Sequence, residues 1–317
     1  MNMNEMYKKQ VALLIRIMPS VYSIKDFAVH GGTAINLFVK DMPRYSVDID
    51  ITYIPIKNRE KSFNEINKHL NSLKQQIERT IPGIRVIHRT NVLKLLCTFE
   101  GATVIIEVNG IKRGIIGEVQ ERELSIKAQK EFSMSCTAIV VPFTLLYGGK
   151  IAAALSRQHP RDLFDYKHMD IRSFDDIKDG VLFYLLGSDK PILESLQPNS
   201  IDQSQALENQ FRGMTDVKFD YADYEESREK LIEDVNKNLT EMDKDFIISF
   251  ESGSPDWDKC ILGDLSEFPA IKWKLQNINT LRDQNIPKYN EGVEKLQNFF
   301  KFLKVVACHW LKSTIFL

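Results

Sequence analysis

Cysteine is scarce: four occur in 317 residues, at Cys97, Cys136, Cys260 and Cys308, and none belongs to a CxxC pair. Such scatter argues against a structural zinc site and a disulfide framework, and it suits a reducing cytoplasm. Long apolar runs are missing as well. No segment approaches the roughly 20 residues that a membrane-spanning helix needs. Residues 11–18 are short and interrupted by Arg16, so they read as part of an amphipathic helix and not as a signal peptide. Internal repeats and low-complexity tracts are absent. No local nucleophile signature of the Ser/His/Asp or Cys/His kind is present, and His159 and His168 lack metal-ligand spacing.

Net charge is small, at −1, but it conceals two unlike halves. Residues 1–168 hold 24 Lys+Arg against 16 Asp+Glu, whereas residues 169–317 hold 18 against 27. A basic half suits contact with phosphates, on a nucleotide, a nucleic acid or both. An acidic half avoids nucleic acid or meets a basic partner. At 43% hydrophobic and 27% charged, the composition is that of a soluble globular protein, and the length suggests about two domains.

Hydropathy patterning agrees. The first part reads as a helix over 1–18, a strand over 27–30 ending at Gly31-Gly32, and a helix over 33–39 with Thr33 as its N-cap. A strand over 46–54, a helix over 60–80 and strands over 84–88, 92–99 and 102–108 follow. From Pro142 onward the pattern is helical, over 144–158, 161–168, 224–242 and 289–316, with a polar linker over 198–223. The expectation is an α+β protein: a mixed-sheet domain over residues 1–141, then a mainly helical domain over 142–317 whose first helices complete the active site.

Asp48 and Asp50 are one residue apart on the strand over 46–54, so their carboxylates share a face while Val47, Ile49 and Ile51 turn to the core. A DxD pair alone says little, because any strand can carry charge on its wet face. Its neighbours say more. The Gly31-Gly32 turn exposes backbone N–H groups at a helix start, where a phosphate can sit. Glu107, among Val104, Ile105, Ile106 and Val108, is a charge in an apolar strand and calls for a partner. Mg²⁺, or Mn²⁺ in its place, is a hard ion that takes such oxygen ligands and keeps substrate phosphates in its shell. Asp48, Asp50 and Glu107 are therefore the expected metal ligands and, with Lys150, the expected catalytic residues.

These residues carry a family resemblance. Gly31-Gly32-Thr33, a helix, and then Arg44-x-Ser46-x-Asp48-x-Asp50 resemble the signature of the DNA polymerase β-like nucleotidyltransferase superfamily. The fuller string GGTA…RYSVDID is similar to the AbiEii/AbiGii-type toxins, which include the MenT-type tRNA-modifying toxins. Lys150-Ile-Ala-Ala-Ala-Leu-Ser-Arg157, followed by Arg161-Asp162-Leu-Phe-Asp165, resembles that family's third motif. Pro269-Ala-Ile-Lys-Trp273-Lys274-Leu-Gln-Asn277 resembles its C-terminal PxLxWKxxN segment. His30 lies outside the signature, and Asn36 stands where some relatives carry a basic residue.

The resemblance implies a polymerase β-like nucleotidyltransferase domain that moves a nucleoside monophosphate from an NTP to an acceptor hydroxyl, with Mg²⁺. It further implies an RNA acceptor, most naturally a tRNA 3′ end. The chain would be the toxin of a bacterial toxin–antitoxin or phage-defence pair, with a cognate antitoxin protein as partner. Two rivals stay open: a small-molecule (antibiotic-type) or protein nucleotidyltransferase, and a catalytically silent protein that binds a partner.

The nucleotide-binding set is Gly31, Gly32, Thr33, Arg44, Ser46, Lys150, Arg157, Asp162 and Asp165. Lys150 follows Gly148-Gly149 near a helix start, where a cation opposes the helix dipole and a phosphate explains it better. Arg157 is open between a second phosphate contact and a surface ion pair. Asp162 and Asp165 share a helical face and are placed to orient Lys150 or a metal-bound group. Arg44 stands between phosphate contact and surface charge, Ser46 between phosphate contact and strand start. His30 reads as a packed strand-end histidine, and Lys112-Arg113 as either an RNA contact or a solvated turn. Trp273 with Phe268 reads as an anchor of the helical core.

Overall fold

Period-two alternation over Ala102–Val108 buries Ala102, Val104, Ile106 and Val108 on one face and leaves Thr103, Ile105 and Glu107 half-buried on the other. This strand belongs to a mixed sheet in a computed structural model that describes residues 3–314, with side chains as far as residue 305. Among the described residues the strands are β1 (Phe27–His30), β2 (Ile49–Tyr53), β3 (Arg85–Arg89), β4 (Lys94–Phe99), β5 (Ala102–Val108), β6 (Gln120–Glu123) and β7 (Thr137–Val140). Their order is β3-β4-β5-β2-β1-β7-β6. The pairs β1–β7 and β2–β5 are parallel and the remaining neighbours antiparallel.

Two strands escape the sequence pattern. β6 is polar and exposed throughout, as an edge strand can be, and β7 is a short apolar run before Pro142. The active strand is also shorter than expected. It opens at Ile49, so Asp48 sits one residue before it.

Helix α1 (Met3–Tyr22) packs against β5 and β7, burying Val11, Leu14, Ile17 and Met18. α2 (Gly31–Thr33) runs straight into a π-helical turn over Ala34–Val39. α3 (Arg59–Thr80) covers β3 and β4 with Ile66, Leu70, Leu73 and Ile77, at the spacing of one helical face. α4 (Ile126–Phe132) joins β6 to β7.

After β7 the described chain is helical: α5 (Phe143–Arg157), α6 (Pro160–Lys167), α7 (Asp175–Leu186), α8 (Ile192–Leu196), α9 (Ser204–Ala206), α10 (Tyr221–Asn238), α11 (Glu241–Glu251), α12 (Pro269–Gln284) and α13 (Ile286–Thr314). The single helix expected over 224–242 is two. The chain breaks at Leu239, and Thr240 caps α11 in a reciprocal box with Asp243. The end of the helix expected to reach residue 316 lies outside the described residues. No helix of the described residues is long and apolar enough to cross a membrane.

α5 and α7 cross at Gly148 and Gly180, where a Cβ on either would run into the other helix's backbone. Glycine inside a helix costs about 0.5–1 kcal/mol relative to alanine, and this close approach is its reason. Gly148-Gly149 is therefore an interior crossing and not a helix start, and Lys150 sits mid-helix.

Candidate active site

Strand register places four ionisable residues in one transverse row. Lys94 pairs with Glu107 across β4–β5, Glu107 with Asp50 across β5–β2, and Asp50 with His30 across β2–β1. Ile49, Ile51 and Tyr53 fill the core beneath β2, so Asp50 is held on a rigid platform pointing the other way. It forms part of a cleft of about 360 Å³ between the sheet and helices α5 and α7. Gly31, Gly32, Glu107, Lys112, Lys150, Arg157, Tyr184 and Asp189 share that lining.

The turn that frames the cleft needs its glycines. Gly31 adopts φ +68°, and a Cβ there would fall on Asp50 Oδ2. A Cβ on Gly32 would crowd the Arg44 guanidinium and the Ser46 hydroxyl. Backbone and carboxylate thus meet closely at the cleft floor.

Mutual repulsion is written into the acids. Desolvation, then the Asp48 charge, pushes the Asp50 pKa up to about 6, with Lys150 pulling the other way. Asp48 is also raised, by desolvation first; Arg161 and a hydrogen bond from the Ile105 N–H oppose the shift. His30 lines the same cleft with its pKa lowered to about 4, chiefly by desolvation, so it is neutral near pH 7. Its Nε2 lies 3.0 Å from the Tyr184 hydroxyl and 3.3 Å from the Leu145 carbonyl oxygen. The packed strand-end reading of His30 holds.

Glu107 departs from expectation. Its side chain is half-exposed, and its partner is Lys94, 2.7 Å away. The strand is apolar on its core face only, so burial does not by itself demand a metal at this carboxylate. The donor chemistry of Asp48, Asp50 and Glu107 still fits Mg²⁺, a hard ion that takes carboxylate oxygens. As the side chains stand, no three His, Cys, Asp or Glu groups among the described residues are arranged to share an ion.

Several expected nucleotide contacts turn out to be buried supports. Arg44 is 3% exposed and is not a surface charge; its Nε and Nη2 donate to Asp165 at 2.7 and 2.6 Å, and its Nη1 to the Tyr45 carbonyl at 2.8 Å. Every guanidinium nitrogen is engaged, which leaves no free fork for a phosphate. His30 precedes the first turn at Gly31, and Thr33, at the N-cap position of the Ala34–Val39 turn, makes no side-chain cap hydrogen bond. Its buried hydroxyl donates to the Asp48 carbonyl and lies 3.1 Å from the Ser46 Oγ, tying the glycine turn to the acid strand. Ser46 is likewise buried beneath that turn, outside the cleft lining.

Lys150 reaches the cleft from mid-helix, with its ammonium 2.9 Å from Asp162 and 2.8 Å from Asp165. Neither the expected helix-start position nor a solvated lysine is found. The surrounding cations outweigh desolvation and hold both aspartates below the usual carboxylate range. Arg157 grips Asp162 with two bonds, at 2.5 and 3.0 Å, yet its side chain stays 61% exposed at the cleft.

Tyr184 and Asp189 go unnamed in the sequence reading, and Asn36 and Lys112 are named there without a role in the cleft. Asn36 is buried, donating to the Gly32 carbonyl at 3.0 Å and to Asp165 at 3.1 Å. Lys112 is not a solvated turn but part of the cleft wall, its pKa lowered mainly by burial, while Arg113 beside it is buried. Tyr184 and Asp189 complete that wall. Trp273 is 42% exposed and anchors no core, whereas Phe268 packs edge-on to Phe183, ring centroids 5.1 Å apart. The buried residue of that segment is Lys274, bonded to the Lys190 carbonyl and so to the loop bearing Asp189. Lys at that place gave the only local signal.

The comparisons with known proteins speak to family and fold. A family model for the nucleotidyl transferase AbiEii toxin of type IV toxin–antitoxin systems matches residues 13–277. Among solved structures, MenT4, a nucleotidyltransferase toxin from Mycobacterium tuberculosis H37Rv, matches with a TM-score of 0.52. Identity is 14%, over 85% of this chain and 91% of that one, and the likeness speaks for the fold. No curated protein matches. With the family matched across most of its length, the chain belongs to the AbiEii nucleotidyltransferase toxins and is itself a nucleotidyltransferase.

Proposed function

We propose that the chain transfers a nucleoside monophosphate from an NTP to a hydroxyl of RNA, releasing pyrophosphate, as a cytoplasmic toxin. The observation that carries this reading is the cleft itself. Asp50 and Glu107 lie on its floor beside Gly31-Gly32, and Lys112 and Arg157 line it as cations. We take the wall to join a transferase domain, residues 1–141, to a helical domain, residues 142–317.

Asp48, Asp50 and Glu107 would hold Mg²⁺ or Mn²⁺. An ion held there would supply charge for a triphosphate and acidify an attacking hydroxyl. The chain's own groups do the rest. Backbone N–H groups at the start of α2 donate to a phosphate oxygen, and Arg157 and Lys112 neutralise charge as pyrophosphate leaves. Asp162 and Asp165 hold Lys150 at the cleft, and neutral His30 fixes Tyr184 in the opposite wall.

The basic first half supports a polyanionic acceptor, and membership of a toxin–antitoxin family supports a cognate antitoxin. The resemblance of the GGTA…RYSVDID string to tRNA-modifying toxins is the ground for a tRNA 3′ end and a role in phage defence. Incubation with each α-labelled NTP, Mg²⁺ and total RNA tests the reading. Label should enter an RNA band, and Asp50→Asn should abolish it. Label on protein would indicate protein nucleotidylation instead, and no label with any NTP would sink the proposal.

A further inference from the structure

Lys94 belongs to none of the recognised motifs and lines no part of the cleft, yet it ends the transverse row of acids. Its Nζ lies 2.7 Å from Glu107 Oε2. Register places it there: Lys94 is directly opposite Glu107, and the Val108 N–H donates to the Leu93 carbonyl at 3.0 Å. Leu93, buried at 2% exposure, takes φ +54°, a left-handed conformation that a branched side chain adopts only under constraint. The chain thus accepts local strain immediately before the lysine.

Two features separate this pair from the other lysine–carboxylate pairs of the site. Lys150 and Asp162 are 4% and 1% exposed and cannot part without stranding a charge. Lys94 and Glu107 are 32% and 44% exposed, so either can turn to water at little cost. Charge balance points the same way. Asp48, Asp50, Glu107 and Lys94 together carry −2 when ionised, the charge that one divalent cation cancels. Other cations facing the acids, Lys150, Arg157 and Arg161, lie on the helical side, and the first two are tied to Asp162.

We propose that Lys94 is a built-in counter-ion that competes with the divalent cation for Glu107, so that metal binding moves Glu107 from the ammonium to the ion. Lys94 is then a positioning residue: it offsets part of the acid row's charge in the metal-free protein and sets how tightly metal is held. This inference rests on the reading of Asp48, Asp50 and Glu107 as metal ligands.

The test is calorimetric titration of MnCl₂ into the full chain, with melting temperature followed alongside. Lys94→Met should tighten Mn²⁺ binding by about three- to tenfold, the scale of one half-exposed ion pair plus the lost repulsion. It should also lower the metal-free melting temperature and enlarge the rise that Mn²⁺ produces. Lys94→Arg, which keeps the charge, should bind metal like the wild type. Unchanged or weaker binding by a folded Lys94→Met protein would overturn the proposal. Asp48→Asn and Asp50→Asn separate the two layers. If they lose Mn²⁺ while Lys94→Met matches wild type, only the counter-ion role fails. If they bind as wild type, or if no form binds, the metal-ligand reading falls and the proposal with it.

Discussion

Lys150 Nζ lies 2.8 Å from Asp165 Oδ2, in a place where neither side chain is more than 4% exposed. Arg44 shares the same carboxylate, so one buried acid serves two buried cations. Removing the acid's charge leaves the buried Arg44 without its anion and Lys150 with Asp162 alone, at a cost of about 3–5 kcal/mol. Asp165→Asn should therefore destabilise the protein by that order in urea unfolding. A loss under about 1 kcal/mol, the scale of a surface pair, would show that the network does not hold the fold. The pH sense follows from the depressed pKa values of Asp162 and Asp165. Their contribution is present above the ordinary carboxylate range and is lost as pH falls through the folded values.

Gly31→Ala combines two penalties. The left-handed φ costs an L-residue about 1–2 kcal/mol, and the added methyl falls on Asp50 Oδ2. The carboxylate must move, and a displacement near 1 Å at a reacting centre can cost about a hundredfold in rate. NMP transfer should fall by about that factor while far-ultraviolet circular dichroism stays native. Transfer within twofold of wild type would mean that Asp50 need not sit against this turn.

The acids and the glycine turn were legible because short-range rules encode them: a period of two sets the face of Asp48 and Asp50, and Gly-Gly marks the turn. Thr240 and Asp243, three residues apart, were an equally local capping signal within a stretch read as one helix. What stayed hidden depends on distant partners. Arg44 meets Asp165 121 residues away, and nothing near Arg44 distinguishes a buried bridge from a phosphate contact. Gly148-Gly149 reads as the approach to a helix start until α7 is seen to bring Gly180 against Gly148. Lys94 acquires meaning only when β4 and β5 pair in this register.

Asp50 offers a pH test with a defined sign. Its folded pKa, about 6, lies above the ordinary 3.8, so the folded chain holds this proton more tightly than the unfolded chain does. Stability from this group is complete in acid and declines as pH rises between those two values. Asp50→Asn removes the desolvated charge and its repulsion by Asp48, so it should raise the metal-free melting temperature at pH 8 and leave it unchanged near pH 4. An identical difference at both pH values would show that the carboxylate is not strained by its neighbours.

Arg157 and Lys112 divide the cationic work of the cleft. Arg157 is oriented by its two bonds to Asp162 and keeps its raised pKa mainly through them, so its fork is fixed before any ligand arrives. Lys112 faces the cleft with its pKa lowered by burial, opposed by Asp189, and gains by meeting an anion. A charge-assisted hydrogen bond to phosphate contributes about 1.5–3 kcal/mol, or roughly ten- to a hundredfold in affinity. Arg157→Ala should weaken binding of a fluorescent non-hydrolysable NTP by at least about tenfold, and Arg157→Lys by less, since lysine keeps charge without the fork. Lys112→Ala should weaken it too, by a smaller factor that shrinks as salt rises. Wild-type affinity in both alanine variants, measured by fluorescence anisotropy, would place the triphosphate elsewhere than in this cleft.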